Sequence, residues 1–142
     1  MLAEPVRPGA LFNYVGLSTV DGDYFVSAFL RLAQGKGAPA VTEIKLDNRG
    51  FMSFVFDGRY KLARFYAPND FNTPKTLDQL FKHNDVQVFD LKADPEEMHN
   101  LALDREKNSD TIMRLNGLLN ELMAREVGVN DGSFLPKAVR PK

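Results

Sequence analysis

Arg59, Lys61, Arg64 and His83 are the side chains of this sequence best suited to meeting an anionic group. Three of them fall in Arg59-Tyr60-Lys61-Leu62-Ala63-Arg64, a short basic run interleaved with apolar residues; His83 sits in the polar Lys82-His83-Asn84-Asp85. A cation on an aromatic-rich face has two uses. Its stem lies over the rings with the head in water, the commoner arrangement, or the head is aimed at an anion. Nucleophilic catalysis needs an activated Ser, Thr or Cys beside a base. Cysteine is absent, and none of Ser18, Ser27, Ser53, Ser109 and Ser133 lies in a Gly-x-Ser-x-Gly elbow. His83 and His99 lack the spacing of paired metal ligands. Asp21-Gly22-Asp23 starts like a calcium loop but lacks the further oxygen ligands and closing Glu, so it reads as a turn. Gln34-Gly35-Lys36-Gly37-Ala38-Pro39 is a loop without the context of a phosphate-binding turn. No catalytic and no metal-binding residue is therefore expected in this chain.

Composition narrows the partners. The chain has 142 residues, 44% apolar and 26% charged, values of an ordinary globular domain that can close a core without disulfides or metal. Its formal net charge of -1 gives no basic field for a polyanion, and no helix-turn-helix or RNA-binding signature is present, so nucleic acid is not an expected partner. No run of about 18 apolar residues suggests a membrane span. Met1-Leu2-Ala3-Glu4-Pro5 does not read as a signal peptide. A signal upstream of a longer chain would still be compatible with this, which leaves the compartment open.

The elements that must position these residues are readable in part. Residues 1–16, broken by Pro5, Pro8 and Gly9, read as an entry linker. Tyr24-Phe25-Val26-Ser27-Ala28-Phe29-Leu30 is a strand or a short helix, because its periodicity fits both. Phe51-Met52-Ser53-Phe54-Val55-Phe56, then Asp57-Gly58, then Arg59 to Tyr66 predicts a β-hairpin turning on Asp57-Gly58. That turn sets Phe56 opposite Arg59, Val55 opposite Tyr60, Phe54 opposite Lys61 and Ser53 opposite Leu62. One face then carries Met52, Phe54 and Phe56 beside Arg59, Lys61 and Ala63; the other carries Val55, Tyr60 and Leu62 and is the expected core. Thr76 to His83 predicts a short helix and Val86 to Leu91 a further strand. Asp94-Pro95-Glu96-Glu97 predicts a helical turn. Asn108-Ser109 predicts the start of a longer helix with Ile112, Leu115, Leu119 and Leu122 on one stripe and Gly128 at its end. The expected fold is α+β: a small antiparallel sheet of three to four strands packed by a C-terminal amphipathic helix. Residues 17–130 form the subdomain and residues 131–142 a strap or frayed tail.

Asp57-Gly58-Arg59-Tyr60-Lys61-Leu62, followed by Phe89-Asp90-Leu91-Lys92-Ala93-Asp94-Pro95-Glu96-Glu97-Met98-His99-Asn100-Leu101-Ala102 and a closing amphipathic helix, resembles the C-terminal part of the sulfatase family. The Asp-Pro-Glu-x-x-x-Asn-Leu core is the most specific segment. Leu11-Phe12-Asn13-Tyr14, Tyr66-Ala67-Pro68 and Leu80 to Asp85 resemble one bacterial subgroup of that family.

The resemblance implies a smaller C-terminal subdomain docked on a large N-terminal α/β catalytic domain, which is the expected partner. It implies calcium, or another divalent cation, and a formylglycine in that larger domain rather than here. The formylglycine arises in a Cys/Ser-x-Pro-x-Arg motif, and the five serines are followed two places on by Val20, Phe29, Val55, Thr111 and Leu135. On this reading the chain completes the fold and walls one side of a substrate cleft, with Arg59, Lys61, Arg64 and His83 as candidate cleft residues. It is inactive alone, and its Asp94 to Asn100 motif is structural. The competing expectations are a free-standing module for sulfated or other anionic ligands, and an interaction domain that forms homo-oligomers through the face its parent covers.

Overall fold

A computed structural model describes residues 7–70 and 73–140. Four antiparallel strands form one sheet in the order β1-β2-β3-β4: β1 (Ala10–Tyr14), β2 (Phe51–Phe56), β3 (Tyr60–Tyr66) and β4 (Asn84–Asp90). Four α-helices accompany it: α1 (Leu17–Val20), α2 (Gly22–Ala33), α3 (Leu77–His83) and α4 (Ser109–Glu126). The fold is α+β, as its strand and helix patterning predicts.

The β2–β3 hairpin keeps its predicted faces and changes its register. Phe56 pairs with Lys61, Val55 with Leu62, Phe54 with Ala63 and Ser53 with Arg64. The turn therefore centres on Gly58-Arg59 instead of Asp57-Gly58. Gly58 takes φ +98°, a region open to glycine because it has no Cβ. Asp57 is better used one place earlier, where its carboxylate accepts from the backbone N–H groups of Arg59 (2.9 Å) and Tyr60 (2.7 Å). Moving the turn by one residue moves the pairing by two, which preserves side-chain parity. Val55 and Leu62 are thus both fully buried on the predicted core face.

That face packs against α4. Ile112, Leu115, Leu119 and Leu122 recur at spacings of three and four, and all are fully buried against Val55, Leu62, Leu80, Val86 and Val88. Gly128, at φ +105°, ends the helix with its N–H donating to the Met123 carbonyl (2.9 Å). The predicted cap is used differently: Asn108 makes no N-terminal cap, and its amide donates back to the Leu101 and Asp104 carbonyls.

One segment departs from the sequence reading, and one that it left open is resolved. Ala10–Tyr14, inside the predicted linker, pairs with β2 as an edge strand, with Phe12 stacked on Phe54 at 4.9 Å between ring centres. The ambiguous Tyr24–Leu30 run is helical, begun by the Asp21 carboxylate accepting from the Tyr24 N–H (3.0 Å). The tail is a strap: Leu135 is buried with Ile44 and Leu46, and Arg140 donates to the Leu135 carbonyl (2.7 Å).

Candidate functional site

The four predicted cleft residues are distributed over separate environments. Arg59 leaves the hairpin turn and forms a two-pronged pair with Asp90 (Nε–Oδ1 3.0 Å, Nη2–Oδ2 2.6 Å), its guanidinium over the Tyr60 ring. Arg59 holds the Asp90 carboxyl down at about 2. Lys61 sits on the opposite face from Leu62 and Arg64, binding both carboxylate oxygens of Glu97 while its ammonium lies 5.6 Å from the Phe89 ring centre. His83 closes α3 with Nδ1 3.3 Å from an Asp70 oxygen. Arg64 alone points into the interior.

Strand alternation explains why: Arg64 is in phase with Leu62 and Tyr66, so its side chain projects from the core face toward α4, where it is 4% exposed. Two asparagines one helical turn apart receive it. Arg64 Nη1 donates to Asn116 Oδ1 (2.9 Å) and Asn120 Oδ1 (2.8 Å), and both amides in turn donate to the Pro74 carbonyl (2.7 and 2.9 Å). Burial pushes the guanidinium down to about 10, so it stays charged at neutral pH. No carboxylate among the described residues forms a salt bridge with it. Across the sheet, Asn13, Ser53 and Arg64 stand in register as a polar row, tied by Ser53 Oγ donating to Asn13 Oδ1 (2.7 Å) and meeting the Tyr66 hydroxyl (3.1 Å).

The residues between β4 and α4 form a second polar cluster. Asp94 accepts from the N–H groups of His99 (2.7 Å) and Met98 (3.1 Å), which hold its carboxyl below the ordinary range. These donors belong to a tight turn rather than the predicted helix start, because Glu97 takes a left-handed φ of +56° and stops helical continuation. Asn100 Oδ1 accepts from Val88 N–H (2.9 Å) and Ala102 N–H (3.0 Å), and its amide donates to the Val86 carbonyl (3.3 Å). Asn100 therefore satisfies the outer edge of β4 and opens the helical turn Leu101–Asp104. The motif turns the chain from the sheet into the helices, as expected. Sequence reasoning missed Asn116 and Asn120; the available signal was their i, i+4 spacing beside Leu115 and Leu119.

The Asp21-Gly22-Asp23 segment opens α2 and is a turn, not a calcium loop. Asp21 is occupied by the Tyr24 and Lys45 N–H groups, and Glu43 beside it accepts from Ala40 N–H. Lys45 shares that depression. Among the described residues no three acidic or histidine side chains cluster to hold a metal, and no helix is long and apolar enough to cross a membrane.

Apolar surface is concentrated on α2, which buries none of its residues: Val26, Phe29, Leu30 and Leu32 are exposed, Phe29 by 72%.

No family profile and no curated protein matches the chain. Among solved structures it is similar to BT4656, which is in complex with its substrate D-glucosamine-2-N,6-O-disulfate, at a TM-score of 0.47 and 19% sequence identity. The match covers 89% of this chain and 18% of that one, so the chain spans under a fifth of that protein's length.

Proposed function

We propose that this chain is the C-terminal portion of a sulfatase, completing the fold and one wall of the substrate cleft of a larger sulfuric ester hydrolase. The observation that carries the reading is how the two motif segments resembling that family meet. Lys61 of the first binds Glu97 of the second, Arg59 of the first binds Asp90 at the mouth of the second, and Asn100 fastens the corner to β4. The resemblance therefore lies in residues that build one sheet-to-helix corner. Sulfate ester cleavage needs a nucleophile, charge stabilisation at the sulfate oxygens and an acid for the leaving group. The large N-terminal α/β domain of the parent supplies these, including formylglycine and calcium. The exposed apolar side of α2 supports docking against that domain.

The test is the mass of the native polypeptide. Antibodies raised against the chain should detect, in the source cells, a species several times 16.0 kDa. That species, once purified, should release sulfate from an aryl sulfate reporter and lose activity on chelation of calcium. A native species of 16.0 kDa, or turnover by the pure 142-residue chain, would overturn the reading.

A further inference from the structure

The polar row beneath α4 borders a cavity of about 80 Å³ that the structural role of the corner does not use. It is lined by Arg64, Thr73, Asn84, Asn120 and Asn130 together with the Gly128-Val129 turn. It adjoins a second cavity of about 220 Å³, and Tyr66 and Asn130 line both. A single water needs about 10–15 Å³ of such space, so the inner cavity has room for a compact polyatomic ion.

Its chemistry is unbalanced toward an anion. Arg64 is buried and charged at neutral pH, its Nη1 donates to two neutral amide oxygens, and its Nε–H is buried without any acceptor. A guanidinium in such a place is normally paired, because an unpaired buried charge is costly. Asn130 also keeps a buried, unbonded side-chain oxygen here, and a carboxamide can present either its acceptor or its donor by rotating. Asp131, which lines the outer cavity, is engaged by Ser133 N–H (2.9 Å).

We propose that this cavity binds a small oxyanion, of sulfate, phosphate or carboxylate chemistry, against the Arg64 guanidinium between β3 and the C-terminal turn of α4. The site is separate from Arg59, Lys61 and His83, and it does not rest on the sulfatase reading. The guanidinium edge supplies charge-assisted hydrogen bonding, and Asn130 and Thr73 supply the remaining polar contacts.

The test titrates sodium sulfate, sodium phosphate and sodium formate into the 142-residue chain, against sodium chloride at matched ionic strength. The readouts are the Arg64 Nε–H resonance and the thermal midpoint. At least one oxyanion should move the resonance saturably and raise the midpoint where chloride does not. Ala124→Phe, at an exposed rim position of α4, should block the mouth while leaving Arg64 in place, and Asn130→Ala should remove the facing amide. Each should weaken binding by about tenfold or more, equivalent to about 1.4 kcal/mol. A resonance that none of the three salts moves beyond chloride overturns the proposal. So does an oxyanion effect of unchanged affinity in both variants, which would put the ion on the outer surface.

Discussion

Asn100→Ala tests the corner on which both motif segments converge. Asn100 Oδ1 accepts from two backbone N–H groups, and one of them belongs to Val88, a residue with no solvent exposure. Truncation leaves that N–H without a partner in a place water does not reach, at a cost of about 1–3 kcal/mol. Loss of the cap on the Leu101–Asp104 turn adds about 0.5–2 kcal/mol. The donated bond to Val86, at 3.3 Å, contributes least. We expect a total near 2–4 kcal/mol, read by urea denaturation followed by far-ultraviolet circular dichroism. With a slope of about 2 kcal/mol per molar, the midpoint should fall by about 1–2 M. Asn100→Asp keeps both acceptances but sets a carboxylate oxygen against the Val86 carbonyl in place of the donated bond, so it should cost less than Ala, about 1–2 kcal/mol. An Asn100→Ala midpoint within about 0.3 M of the parent refutes the reasoning, as does an Asn100→Asp loss as large as that of Ala.

Further outcomes are expected elsewhere. Leu119→Ala removes a fully buried side chain from the α4 stripe and should cost about 2–5 kcal/mol in the same assay. The Arg59–Asp90 pair gives a pH dependence of definite sign. The folded carboxyl lies at about 2, below its ordinary value of about 3.9, so the stabilisation is complete above pH about 4 and disappears as pH falls toward 2. The difference in thermal midpoint between the parent and Asp90→Asn should therefore be constant near neutrality and vanish in acid. Lys61 and Glu97 are each partly exposed, so a double-mutant cycle with Lys61→Met and Glu97→Gln should give a coupling of about 0.5–1 kcal/mol. Light scattering should find the isolated chain self-associating through α2, and Phe29→Lys with Leu32→Lys should return it to a monomer, with stability changed by about 0.5 kcal/mol or less.

The hairpin separates what local sequence decides from what it leaves open. Alternation in Phe51–Phe56 and Tyr60–Tyr66 determined which side chains face the core, and this survived a turn displaced by one residue because pairing moved by two and parity was unchanged. The spacing of Ile112, Leu115, Leu119 and Leu122 likewise determined the buried face of α4. Both are properties of consecutive residues, since a strand or helix fixes the direction of each side chain relative to its neighbours.

Partners across the chain were decided only by folding. The five residues of β1 carry too short a pattern to distinguish a strand from a linker after Pro8 and Gly9, and they became a strand because β2 offered an open edge. Lys61 met Glu97 across 36 positions, and Arg64 met Asn116 across 52. The basic run was legible as a set of cations, but its division was not: one head toward Asp90, one across the outer face to Glu97, and one to Asn116 and Asn120 beneath α4. Periodicity gives the face from which a charge projects; what stands opposite depends on how distant segments pack.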